Sequence, residues 1–389
     1  MRRVYLDNNS TTRLDERVAA GMAPFLREMF GNPSNVHSFG RECAEGLAEA
    51  RERVARFINA EPEEIFFTSC GTESDNWALK GAALARKDRR RHVVVSAIEH
   101  SAVLGSARFL ETQGWRVTTL PVDRFGLVSL DDVARAVTEE TAVVSVMLAN
   151  NEIGTIEPVK EIAAVCRRAG AYCHTDAVAA AGKIAVDVQE LGVDLLTLSG
   201  HKLYGPKGVG ALYVRRGTEI APFIHGGHQE AGMRGGTENV LGIVGMGLAC
   251  DLLRREWPAE AERVRRLRDR FEREALKRIP ELLLNGHPEK RVPNVCHFSV
   301  GYVEGEALLV SLDLEGVAVA SGSACSAGDA EPSPTVKAIG VPPLFRNSSV
   351  RFSFGRENVE EDVDFALAAF ERVVSRLRDI SPLWKKRGR

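Results

Sequence analysis

The sequence lacks an excess of charge of either sign. Its 389 residues carry 51 Lys+Arg and 53 Asp+Glu, a formal net charge of −2. It therefore has no electrostatic footprint for holding nucleic acid non-specifically. It also lacks a cysteine framework. The seven cysteines, Cys43, Cys70, Cys166, Cys173, Cys250, Cys296 and Cys325, are odd in number and include no C-x-x-C pair. That argues against a disulfide scaffold and a zinc ribbon and fits a reducing, cytoplasmic setting. No apolar run reaches the roughly 20 residues that a membrane span needs; the most apolar long stretch, Val240 to Leu253, is broken by glycines and Asp251. The first residues, Met-Arg-Arg-Val-Tyr-Leu-Asp, have no signal-peptide core. Nucleotide and metallohydrolase fingerprints are missing too. Ala177 stands where a phosphate loop ending at Gly182-Lys183 would need its first glycine. No G-x-G-x-x-G follows the first strand and no H-E-x-x-H occurs, so no metal site is expected.

What is present has ordinary globular composition, 44% hydrophobic and 27% charged. Short apolar runs at Glu64–Thr68, His92–Ala97, Arg116–Leu120, Ala142–Ala149, Ala171–His174, Leu195–Leu198 and Gly210–Val214 alternate with helical patterns such as Glu73–Leu84 and Val159–Arg168. Continuous apolar runs mark buried parallel strands, and the alternation predicts an α/β sheet with helices on both faces. From Trp257 the character changes. Ala259–Ile279 is dense in charge, with Val264, Leu267, Phe271, Ala275 and Ile279 three or four apart. It predicts an amphipathic helix bridging into a second, α+β region. That region is expected to hold strands at Val295–Val300, Val317–Ala320 and Ser349–Phe354 and helices at Gly305–Leu314 and Asn358–Leu377. Val4–Leu6 is expected to pack against it. The expected division is 12–258 for a large domain, and 1–11 with 259–389 for a small one.

Ligands of open α/β sheets bind beyond the carboxyl ends of the strands, and polar residues follow several of the runs. They are Thr68-Ser-Cys-Gly-Thr-Glu-Ser, Glu99-His100, Asn150-Asn151-Glu152, His174-Thr175-Asp176 and Ser199-Gly200-His201-Lys202. A lysine partly desolvated there is a nucleophile toward aldehydes; Lys202 is the candidate, the plainer reading being an exposed loop lysine. Gly71-Thr72 opens a helix whose free amides favour a phosphate, or simply forms a capping box with Glu73. Asp176 either keeps a pyridine nitrogen protonated, making a pyridoxal ring an electron sink, or caps a helix starting at Ala177. His100 either stacks on a flat ring and moves protons or is structural. Arg351, between Val350 and Phe352 in an alternating strand, faces away from the apolar side. It either clamps a substrate carboxylate or is an ordinary surface arginine. Cys70 and Cys250 read as small buried hydrophobes. Cys325 lies in Ser321-Gly-Ser-Ala-Cys-Ser-Ala-Gly, which has nothing to bury, and is placed to react rather than to pack.

With these residues in view, the chain resembles the pyridoxal-phosphate-dependent cysteine desulfurases of the nitrogen-fixation and iron–sulfur-cluster-assembly type, among the class V aminotransferases. The likeness runs from Tyr5-Leu-Asp-Asn-Asn-Ser-Thr-Thr through Gly31-Asn-Pro-Ser to Ser381-Pro-Leu-Trp. It is most specific in Ser199-Gly-His-Lys-Leu-Tyr-Gly-Pro-Lys-Gly and Ser321-Gly-Ser-Ala-Cys, and the stretch from Cys325 to Glu331-Pro332-Ser333 looks like the longer-loop subgroup. The resemblance implies fold type I of the pyridoxal-phosphate-dependent transferases, aspartate aminotransferase-like, with a mainly parallel large sheet. It implies pyridoxal 5'-phosphate held by Lys202 as a Schiff base, His100 on the ring and Asp176 at the pyridine nitrogen. A phosphate cup of Gly71, Thr72, Ser199 and His201 follows, with Thr237 given across a homodimer interface. Asn151 and Arg351 would hold the carboxylate of L-cysteine. Cys325 would take the sulfur as a persulfide, releasing L-alanine, and pass it to an iron–sulfur scaffold or another acceptor protein.

Two positions depart from the family pattern. Ala179 stands where a Gln usually hydrogen-bonds the cofactor's phenolic oxygen, and Ala231 where an Arg is common. Other readings are a selenocysteine lyase or another lyase on the same fold, and a cofactor-free descendant that only binds partners. The presence of Lys202 argues against the last.

Overall fold

The computed structural model describes residues 2–321 and 332–387; Cys325 and Glu331 lie outside the described residues. Twelve strands are numbered along the chain: β1 Val4–Tyr5, β2 Ile65–Thr68, β3 His92–Ser96, β4 Arg116–Leu120, β5 Thr141–Ser145, β6 Tyr172–Asp176, β7 Leu195–Ser199, β8 Gly210–Val214, β9 Leu282–Asn285, β10 Val295–Val300, β11 Val317–Ala318 and β12 Ser349–Ser353.

The apolar runs form a seven-stranded sheet in the order β2-β8-β7-β6-β5-β3-β4. Every neighbouring pair is parallel except the two that involve β8. All residues of β3, β5, β7 and β8 are buried, which is why these segments are apolar throughout and do not alternate. Because β3, β5, β6 and β7 run the same way, their carboxyl ends open on one edge. Gly210 begins β8 beside that edge. A Cβ there would stand 2.6 Å from the Cys70 carbonyl carbon, so glycine lets the strand pass the turn after β2.

A second sheet, β12-β10-β9, is antiparallel, and β1 pairs with β11 in a small parallel ribbon. The first strand thus joins the carboxyl-terminal part of the chain, as its position predicts. The β10–β12 sheet packs on Phe271 and Phe370; Phe271 and Phe352 have ring centroids 4.6 Å apart, and Phe352 and Phe370 5.1 Å. Burying each such ring contributes about 1.5–3 kcal/mol.

One expectation needs correction. The amphipathic helix at Ala259–Ile279 is only the second half of a helix spanning Val240–Arg278, which runs through Pro258. Met246, Ala249 and Leu253 anchor its first half in the core under the large sheet. Val264, Leu267, Phe271 and Ala275 anchor its second half in the phenylalanine core. Packing on both sides carries the helix across the proline and across the change in composition that suggested a new start. Among the described residues, no helix is long and apolar enough to cross a membrane.

Candidate active site

A cavity of about 320 Å³ lies at the carboxyl edge of the large sheet. Gly71, Thr72, His100, Asn151, Asp176, Ser199, His201, Lys202 and Arg351, all singled out in the sequence, line it. Thr237 does not; it lines a separate depression with Ser69 and Arg234. Cys325 lies outside the described residues.

At one end of the cavity is the helix Gly71–Arg86. Cys70 takes its N-cap position, and no side chain caps the first turn. Glu73 does not complete a capping box; its carboxylate accepts from the Ser69 amide at 2.8 Å and pairs with Arg234 at 2.9 Å. The amides of the first turn are thus left to the cavity, where a helix terminus favours an anion. Beside them the Ser199 hydroxyl is buried with no hydrogen-bond partner. A Cβ on Gly71 would sit 3.1 Å from Val178 and 3.4 Å from Ser199, which would narrow the cradle. Cys70 therefore lines the cavity and is only half-buried, and the expectation of a buried apolar cysteine fails there. The strand ends at Thr68, two residues too early to cover it.

Asp176 closes β6. Its Oδ1 accepts from the Val178 amide at 2.8 Å, so it caps a turn; residues 177–181 form no helix. It also faces the cavity. Burial raises its pKa, while His100, the Val178 amide and Lys202 lower it. Asp75, fully buried nearby, is raised well above the carboxylate range by burial and then by Asp176. Glu99, also on the cavity wall, is pushed up to about 8 by burial, although it accepts from Ser96 and from the Met147 amide.

His100 is the N-cap of Ser101–Thr112, and its Nδ1 accepts from the Ala102 amide at 3.2 Å. The neutral ring therefore carries its proton on Nε2, and burial lowers its pKa. Lys202 follows β7 in a short 3₁₀ turn, Gly200–Lys202. Its Nζ donates to the carbonyls of Asn9 and Ser10, the latter at 2.8 Å. His201 is pushed down to about 4 by burial and by Lys202, Lys207 and Lys183.

Arg351 is no surface arginine: it is 1% exposed. The polar side of β12 is covered by the amino-terminal segment, and Arg351 donates to the Asn151 carbonyl, to Asp7 and to Ser10, at 2.8, 2.7 and 2.7 Å. Glu152 lies in the same wall and accepts from Ser333 at 2.6 Å. Ala179 also lines the cavity. At Ala231 the chain is left-handed, with φ of 56° following 46° at Glu230. Sequence reasoning missed Asn9 and Ser10 as cavity residues, and Glu99 and Glu152 as buried acids. The signals were there, in the polar run Asp7-Asn-Asn-Ser-Thr-Thr and in the acids beside His100 and Asn151.

Residues 4–365 match the model of the aminotransferase class-V family. A protein from Dictyoglomus turgidum named cysteine desulfurase IscS is 51% identical over 99% of this chain and 98% of its own length. A solved structure described as a NifS-like protein superposes with a TM-score of 0.91 at 38% identity, covering 96% of this chain and all of that one. Another, described as SspA in complex with cysteine, gives a TM-score of 0.80 at 34% identity over 91% of this chain and 99% of that one. The chain belongs to the aminotransferase class-V family.

Proposed function

We propose that the chain is a cysteine desulfurase that converts L-cysteine to L-alanine and leaves the sulfur as a persulfide on Cys325. The observation that carries this reading is the cavity itself. It joins an amine on Lys202, a carboxylate on Asp176, an uncapped helix start and the unpartnered Ser199 hydroxyl. These features fit pyridoxal 5'-phosphate: the helix amides, Gly71, Thr72, Ser199 and His201 for its phosphate, Asp176 for its ring nitrogen and Lys202 for its aldehyde. When bound, that cofactor supplies an aldehyde for amine exchange and a ring that spreads the charge left at the substrate Cα.

The chain's residues do the rest. Arg351 and Asn151 hold the substrate carboxylate, Arg351 exchanging its contact with Asp7 for the incoming anion. Lys202 takes the Cα proton and returns it to Cα once the sulfur has left. Asp176 stays ionised against a cationic ring nitrogen that offsets the cost of its burial. Cys325 Sγ attacks the substrate sulfur. The S–S bond forms as the Cβ–S bond breaks, and the electron pair left on Cβ is protonated by His100 Nε2–H or Lys202. The described residues that flank the Cys325 segment lie at this cavity. Ala320 pairs with Arg351, and Ser333 bonds to Glu152. Cys325 then hands sulfur to an iron–sulfur scaffold or another acceptor.

The same proposal includes a cytoplasmic homodimer in which Thr237 serves the partner's phosphate site. Phe30, Val36 and Phe39, 74%, 88% and 51% exposed, support an interface with a second copy. It also includes the division at 258/259, supported by the separate apolar clusters on the two halves of the long helix. The test is alanine and sulfide release from L-cysteine by the purified protein with pyridoxal phosphate and a thiol reductant. Matching, continuing production of both is expected. A protein that holds the cofactor and yields no alanine, even as Ala179→Gln, would overturn the reading.

A further inference from the structure

Lys202 also borders a second, much smaller cavity of about 20 Å³, room for about one water. Lys183 reaches the same space. Gly182, with φ of 73°, turns the chain ahead of it. The Lys183 Nζ is shut off from solvent and has no hydrogen-bond partner. Facing the same space, Asn294 Oδ1 is also buried without a donor. Its Nδ2 donates to Asn9 Oδ1 at 2.9 Å, and the Asn9 carbonyl accepts from Lys202. Buried donors and acceptors are rarely left over in this way, and here they sit behind the amine proposed to carry the chemistry.

The charged and titratable groups around Lys183 come from several elements. Lys202 and Tyr204 follow β7, Glu260 lies on the long helix and Arg351 on β12; His201 feels Lys183 as well. Glu260 is already bonded to Arg263 at 3.2 Å, and no anion pairs with Lys183 among the described residues. Burial, then Lys202 and Arg351, push the Lys183 amine down to about 7.

We propose that Lys183 is a positioning residue for the proton of Lys202: the two amines share one small buried space, and positive charge on Lys183 keeps Lys202 in its neutral, nucleophilic form. This rests on the reading of Lys202 as the cofactor lysine. The test is a pH titration of the loaded, full-length protein, following the visible absorption of bound pyridoxal phosphate. Its midpoint reports the proton on the nitrogen that Lys202 contributes. Lys183→Met and Lys183→Gln are expected to raise the midpoint by about one pH unit, a tenfold change in proton affinity. Lys183→Arg, charged at every pH of the titration, is expected not to raise it. A midpoint that stays put in Met and Gln, or that moves equally in Arg, overturns the inference. Borohydride reduction, which fixes the cofactor to the lysine that holds it, separates the two levels. Attachment elsewhere brings down the reading of Lys202 and this inference with it. Attachment at Lys202 with an unmoved midpoint brings down this inference alone.

Discussion

The two sides of the cavity are built from opposite charges, and neither side is neutralised in the same way. Glu99 and Asp176 form the acidic side, with Asp75 buried close to both. Burial favours the proton on each of them. The nearest basic group to Asp75, His174 at 3.7 Å, is itself kept neutral, its pKa pushed down to about 3 by burial. The basic side holds Lys202 and Arg351, which stand close enough to Lys183, in the neighbouring smaller cavity, to lower its amine as well. Asp7 engages Arg351 there. Asp176 feels His100 and Lys202, but burial outweighs both, so a cation that arrives with a ligand suits it. Amines and a guanidinium gathered together are ready for anions. The difference matches a basic ring nitrogen beside Asp176 and a substrate carboxylate beside Arg351.

Removing a group from either side should therefore have unequal effects. The largest is expected for Lys202→Ala, which should lose borohydride-stable attachment of the cofactor and more than about 10³-fold in alanine formation. Borohydride-stable attachment retained by the variant, through another lysine, would break the assignment of the basic side. Asp176→Asn should cost about 10²–10³-fold in kcat with cofactor still bound, since its carboxylate no longer holds the ring cationic. Equal activity would show that the acidic side is structural. Cys325 lies outside the described residues, and its removal sharpens the contrast. Cys325→Ala should keep the cofactor's absorption unchanged and form no persulfide by mass spectrometry. Ala179→Gln returns a donor to the cavity wall. It should raise kcat by a few-fold, about 1 kcal/mol for one hydrogen bond.

The smallest effect concerns stability. His174, under the acidic side, and His297, beneath Arg351, are both pushed down to about 3 by burial. Each stays neutral in the fold and takes a proton in the unfolded chain below about pH 6.5. Their stabilisation is thus full above that pH and is lost as pH falls toward 3. Replacing either by Gln should flatten the fall of Tm between pH 6.5 and 4 by about 2–4 °C. A parallel Tm–pH curve for both variants would show that these rings carry no such linkage.

How far these features were legible differs by element. The strands of the large sheet could be read because both of their faces are buried, so each is an unbroken apolar run. Two ends shifted. The run Ala142–Ala149 stops being strand at Ser145, and Asp176 remains strand where His174 was expected to be the last residue. The apolar pattern continues past β5 because Val146, Met147 and Leu148 are buried without being paired as strand. The helix through Pro258 was not legible, because its continuity comes from two cores that the local sequence does not name. Lys202, Asp176, His100 and Gly71 could be nominated because each follows or ends an apolar run. That Cys70 joins them, and that Arg351 is buried under the amino-terminal segment, could not.

The sequence by itself determined the α/β alternation, the polar residues at the strand ends and the family likeness. All of these depend on short-range order: period, neighbours and motif. The tertiary structure decided which charges share a dielectric environment. Asp75 and Asp176, or Lys183 and Asn294, are far apart along the chain. They meet only once the sheet is paired and the long helix is packed. Burial and proximity, the two causes that move these protons, exist only after folding.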